Sequence, residues 1–70
     1  MVDIYINGVK RTLLLKHITY NDLCALEEIN PVYSPSITWC YNNSQGILTY
    51  NKSIELKENM IFNINITGAA

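Results

Sequence analysis

Few side chains in this sequence are of a type that does chemistry, and their surroundings decide what each is for. Cys24 and Cys40 are the only cysteines and His17 the only histidine. A thiol becomes a nucleophile when a neighbouring base or positive charge holds it as thiolate, and neither cysteine has an orienting group near it in sequence. Both read as buried free thiols, Cys24 within a helix and Cys40 within a strand. They form no C-x-x-C pair, and the N-terminal stretch gives no sign of an oxidising compartment. His17 stands just ahead of a helix cap with no second ligand at metal spacing, so it reads as an exposed or packing histidine.

Ser34, Ser36, Ser44 and Ser53 fall in turns or at strand starts, where hydroxyls cap and bend the chain, and none lies in a G-x-S-x-G elbow. Glu27, Glu28, Glu55 and Glu58 read as solvated edges rather than a catalytic carboxylate pair. What remains is the end of the chain, Ile66-Thr67-Gly68-Ala69-Ala70. Gly68, Ala69 and Ala70 are three small residues that follow a strand. The expectation is a non-enzyme, with no catalytic residue, cofactor or metal of its own.

The elements that position these residues are legible in order. Val2, Ile4 and Ile6 alternate with Asp3 and Tyr5, as a half-buried strand does. Asn7-Gly8 tolerates the positive φ of a tight turn, so Val9–Lys16 should return as the second strand of a hairpin. Thr19 and Asp22 are spaced as a weak capping box at a helix start. Tyr20, Leu23, Leu26 and Ile29 then form an apolar stripe, and Pro31 closes the helix after about three turns by disfavouring α geometry at Asn30.

Ser36–Tyr41 is rich in β-branched and aromatic residues and reads as a strand ended by the turn signal Asn42–Gly46. Ile47–Tyr50 is a short apolar run, Asn51-Lys52 a turn, and Ser53–Leu56 a short extended piece. Met60–Thr67 alternates cleanly, with Met60, Phe62, Ile64 and Ile66 on one face and Asn63, Asn65 and Thr67 on the other. The expected core is Ile4, Ile6, Leu13, Leu15, Leu23, Leu26, Phe62, Ile64 and Ile66, joined by Ile37 and Trp39. One helix across one face of a mixed sheet lets every element bury its single apolar face.

Seventy residues, 49% hydrophobic and 16% charged, suit one folded domain, which at this size buries about 60% of its unfolded surface. The net charge is -1, with Lys10, Arg11, Lys16, Lys52 and Lys57 scattered among six acids, so no basic stripe is present to track phosphates and no nucleic-acid partner is expected. No apolar run is long enough to cross a bilayer, and MVDIYING has neither a basic n-region nor an apolar h-region. A cytoplasmic protein away from membranes is expected. The sequons starting at Asn42, Asn51 and Asn65 are discounted on that ground.

Taken together, Ile6-Asn7-Gly8, the run His17–Leu26 opening His-Ile-Thr-Tyr, Pro31-Val32-Tyr33, Gly46-Ile47-Leu48 and Met60–Ile64 resemble, in order and spacing, the bacterial multiubiquitin or ubiquitin-like protein family. The resemblance spans nearly the whole chain. It implies an α+β, ubiquitin-like β-grasp fold of four to five strands with one helix, ββαβ(β)β, over residues 1–67, with residues 68–70 as a flexible conjugation tail. Members of that family often carry glycine where this chain has Asn51 and Asn59. Asparagine is the next residue best suited to left-handed geometry.

The resemblance also implies partners: a ubiquitin-type activating enzyme that uses ATP, a conjugating enzyme, a deconjugating peptidase and protein targets, in bacterial systems of antiphage defence. Ubiquitin and the sulfur carriers end in Gly-Gly, whereas this chain ends Gly68-Ala69-Ala70. Ala70 is itself activated, or a peptidase trims back to Gly68, or the tail is inert. Besides the modifier, two other readings stand. One is a non-covalent interaction or self-assembly module, a homo-oligomer included, using Tyr5, Tyr33, Tyr41 and Tyr50. The other is a sulfur carrier. The polar outward positions of the last strand lead to the expectation that ordinary ubiquitin readers do not bind it.

Overall fold

The computed structural model describes residues 1–66. Strands β1 (Val2–Ile6) and β2 (Val9–Leu13) form the opening hairpin. At its tip Asn7 and Gly8 have φ of 50° and 83°, the two positive values that match a two-residue turn to the twist of its strands. β2 is shorter than expected and stops at Leu13, so Leu14, Leu15 and Lys16 form a link to β3 (His17–Thr19).

That third strand is not visible in the local pattern. It pairs antiparallel with β6 (Ser53–Glu55), with Ile18 opposite Ile54. Helix α1 (Tyr20–Leu26) follows at once, and its start is the expected capping box: the Asp22 amide donates to Thr19 Oγ1 at 3.0 Å and the Thr19 amide to Asp22 Oδ2 at 3.1 Å. Its end comes earlier than Pro31 implies. Glu28 takes φ 56°, Ile29 N–H donates to the Cys24 carbonyl at 2.8 Å and Glu28 N–H to that of Ala25 at 3.1 Å. This is a Schellman stop with glutamate where glycine is usual. Pro31 instead opens a short 3-10 turn, Pro31–Tyr33, where the Val32 amide donates to Asn30 Oδ1.

β4 (Ser36–Tyr41) matches the sequence reading, but the turn after it is only Asn42-Asn43. β5 (Ser44–Leu48) therefore takes in Gln45 and Gly46, and β7 (Met60–Asn65) completes the set. The main sheet runs β2-β1-β7-β4-β5, mixed because β1 and β7 lie parallel while every other pair is antiparallel. Asn51 and Asn59 both sit at φ 65°, as their turns require.

Helix and sheet share one core, in which Ile4, Ile6, Ile18, Leu23, Cys24, Ile37 and Phe62 are fully buried. Leu13, Leu26 and Trp39 pack at its margin, half-exposed. Two expected members are not in it. Leu15 is exposed because β2 has already ended, and Ile66 because β7 has. Ile18 and Leu56 take core positions instead, carried inward by the small β3–β6 sheet. Burying seven large side chains fully is the main stabilising contribution, on the order of 1.5–3 kcal/mol for each aliphatic or aromatic one.

Candidate functional site

β7 lies in the centre of the sheet, and its last residues lead to the chain end. β1 accompanies it only through Ile6 opposite Phe62, after which the hairpin turns away. Asn7 then takes over the role of a strand. Its backbone amide donates to the Phe62 carbonyl at 2.9 Å. Its side chain accepts from Ile64 N–H at 2.8 Å and donates through Nδ2 to the Ile64 carbonyl at 3.2 Å. An asparagine amide carries a donor and an acceptor side by side, so it can replace one peptide unit of a neighbouring strand. On the opposite flank β4 continues to Ser36, opposite Asn65. The end of β7 is thus held from both sides up to Ile64 and by β4 alone at Asn65, and Ile66 beyond it is half-exposed.

The conjugation tail expected from the sequence, Gly68, Ala69 and Ala70, lies outside the described residues, as do Thr67 and the boundary between residues 67 and 68. The described part of the chain reaches Ile66.

The face of the sheet away from the helix follows from the register. One cross-strand row runs Lys10, Tyr5, Ile61, Cys40, Gln45, and the next brings Ile47, Thr38 and Asn63 together. The expectation of a polar last strand holds for Asn63 and Asn65 but omits Ile61, which points outward and is 41% exposed; Ile47 nearby is 71% exposed. A shallow depression lies over Gly46 between Thr38, Gln45, Ile47 and Asn63. Cys40 borders it, half-buried rather than fully buried as expected, whereas Cys24 is fully buried. Burial pushes the Cys24 thiol up from its ordinary value, which opposes the thiolate that nucleophilic chemistry needs.

A second surface gathers around Tyr20. Its hydroxyl donates to the Pro35 carbonyl, and Tyr50 packs edge-on to its ring at 5.8 Å between centroids and 78° between planes. Tyr50 is exposed, as is Val32, which lines the same surface with Pro31 and Ser34, and Tyr33 on the same short turn is exposed too. Of the four tyrosines singled out in the sequence, Tyr33 and Tyr50 are thus available for contacts, while Tyr5 and Tyr41 are half-buried.

Glu27 departs from the solvated reading. Its carboxylate pairs with Arg11 Nη2 at 3.0 Å, and Arg11 also reaches the Leu26 carbonyl at the helix end. The pair ties β2 to the C-terminus of α1, where a cation is favoured. His17 is exposed on β3 opposite Glu55. Among the described residues no group of three or more His, Cys, Asp or Glu could hold a metal ion, and no helix is long and apolar enough to cross a membrane. The Asn7–Ile64 clamp is the feature sequence reasoning missed. Asn7-Gly8 signals the turn but not where the side chain of Asn7 goes.

Comparison with protein-family models, with curated proteins and with solved structures finds no match to the chain.

Proposed function

We propose that this domain is a β-grasp modifier of the ubiquitin-like kind, activated at its C-terminus by a partner adenylating enzyme and joined to target proteins, in a bacterial antiphage setting. The observation that supports this reading most is the position of β7. The last strand is central, flanked by β1 in parallel and β4 antiparallel, and Asn7 fixes its end at Ile64. A segment leaving from there departs from a rigid base, and a rigid base lowers the entropic cost of presenting it to a deep pocket. The sheet order and single helix are compatible with a β-grasp, and the family resemblance supplies the rest of the reading.

The chemistry belongs to partners. The terminal carboxylate attacks the α-phosphorus of ATP and expels pyrophosphate. An enzyme thiolate then attacks the acyl carbon and expels AMP. Finally an amine of the target, often a lysine, displaces the thiol to leave an amide or isopeptide bond. The contribution of this chain is a compact head and Gly68-Ala69-Ala70. Exchange of labelled pyrophosphate into ATP by a ubiquitin-type activating enzyme from the same operon tests this. The full chain should support exchange, and exchange that is equal with a chain ending at Thr67 would remove the tail's role.

A second reading is favoured by the exposed Val32 and Tyr50 beside the Tyr20 ring: a non-covalent interaction module, since large exposed apolar side chains grouped together mark contact surfaces. Light scattering over a range of concentrations distinguishes it. Self-association abolished by Tyr50→Lys favours this reading, and a monomer throughout counts against it.

A further inference from the structure

The same asparagine that clamps β7 is the only one in the sequence followed by glycine. Glycine offers no side chain to shield its own amide nitrogen, and a Cβ built on Gly8 meets nothing within 4 Å. Asn7 is exposed, at a hairpin tip. Its amide is nevertheless engaged at both atoms, Oδ1 with Ile64 N–H at 2.8 Å and Nδ2 with the Ile64 carbonyl at 3.2 Å. A side chain held in that way is aimed at β7 and not at the nitrogen of residue 8.

We propose that Asn7 is a latent deamidation site, gated by its clamp on Ile64, whose product cannot remake that clamp. Once β7 lets go, hydroxide removes the proton from the Gly8 amide nitrogen, and this nitrogen attacks Asn7 Cγ. The new Cγ–N bond closes a five-membered imide as the bond from Cγ to Nδ2 breaks. The leaving nitrogen takes a proton from water and departs as ammonia. Water then adds to either imide carbonyl and opens the ring to aspartate or isoaspartate at position 7. The net change is water in and ammonia out, with no oxidant or reductant.

The product differs at the atom that matters. A carboxylate is acceptor-only, so one oxygen can still receive Ile64 N–H while the other faces the Ile64 carbonyl oxygen with no proton between them. The isoaspartate form also lengthens the backbone by one methylene inside a two-residue turn that fixes the β1–β2 register. Each molecule whose last strand has opened is thereby marked irreversibly at the support of its own C-terminal exit.

The wild-type chain tests this without a variant. It is incubated at mildly alkaline pH, folded in buffer and unfolded in urea, and followed by intact mass and peptide mapping. Conversion should fall on Asn7, and the folded chain should convert at least about fivefold more slowly, the factor supplied by two ordinary hydrogen bonds that must break first. The converted protein, separated from the parent by its extra negative charge, should show faster hydrogen exchange at the Ile64 amide. Equal rates folded and unfolded, conversion mainly at another asparagine, or an Ile64 amide as protected after conversion as before would each overturn the proposal. Should the converted chain unfold outright, Asn7→Ser gives the comparison: it removes the reactive amide, and its mass should stay unchanged under the same treatment. Conversion elsewhere in that variant at the parent's rate would again count against Asn7.

Discussion

The indole of Trp39 lies against the α-carbon of Gly46, its partner across the β4–β5 pair. A Cβ added to Gly46 would sit 2.8 Å from Trp39 Cζ2 and 2.9 Å from Cε2 and Nε1. The glycine of the Gly46-Ile47-Leu48 segment is therefore a packing requirement. With no side chain at 46, the ring folds over the strand and covers the core beside Phe62, its other cross-strand neighbour.

Gly46→Ala should accordingly lower stability by about 1–3 kcal/mol through overpacking, read as a lower urea midpoint. Combining it with Trp39→Leu should recover part of that loss, because the two residues touch and their effects couple. Additive costs in the double variant would place the strain elsewhere.

The helix stop supports a change of opposite sign. Glu28 holds φ 56°, a conformation that costs a residue with a Cβ roughly 1–2 kcal/mol. Glu28→Gly should raise stability by up to about 1 kcal/mol once the greater freedom of glycine in the unfolded chain is set against this. At the other end of the helix Thr19→Ala should cost about 1 kcal/mol by removing the cap. Thermal unfolding followed by circular dichroism ranks the three proteins.

Alkaline pH should weaken the fold. Burial pushes both the Cys24 thiol and the Tyr20 hydroxyl above their ordinary values of 9.0 and 10.0, and for Tyr20 the neighbouring Cys24 adds to the effect. A folded pKa above the unfolded one means that the contribution is complete below the unfolded value and is lost as pH rises through the folded one. The urea midpoint should hold up to about pH 9 and fall beyond it, and Cys24→Ala should remove the earlier component of the fall. A midpoint that is level to pH 11 would contradict the burial of both groups.

The acid limb has the reverse sign and a smaller size. The Thr12 hydroxyl, 2.7 Å from Asp3 Oδ1, and then Lys10 hold the Asp3 carboxyl below its ordinary 3.8. That stabilisation is present above the unfolded value and fades as pH falls through the lowered one. Because the group is exposed the effect is modest, and Thr12→Val should flatten the stability profile below about pH 4.

The two thiols should separate in reactivity. A disulfide reagent should modify half-buried Cys40 in the native protein, while Cys24 waits for unfolding. Equal rates at both would contradict the core assignment.

What was legible in the sequence was local. Asn7-Gly8, the Thr19–Asp22 box, the bounds of Ser36–Tyr41 and the onset of β7 at Met60 all rest on residues within a few positions of each other, and all are in place. What was missed depends on distant partners or on an unusual residue. His17–Thr19 becomes a strand only because Ser53–Glu55 arrives beside it. The helix stops short of Glu28 because glutamate there adopts a glycine conformation, whereas Pro31 is the stop visible in the sequence. Arg11 finds Glu27, and Asn7 finds Ile64, across separations that no periodicity reports. Of the candidate site, the Asn7–Ile64 clamp was beyond local pattern, and Gly68, Ala69 and Ala70 lie outside the described residues.

In the proposed function Gly68-Ala69-Ala70 is the working part of the molecule and the remainder its carrier. The direct measurement is intact-protein mass spectrometry of the activating enzyme after incubation with ATP and either the full chain or one lacking those three residues. A thioester adduct, released by hydroxylamine, should form with the full chain and none with the shortened one, although both are equally folded. An adduct of equal yield with the shortened chain, or a folded full chain that gives none, would contradict it.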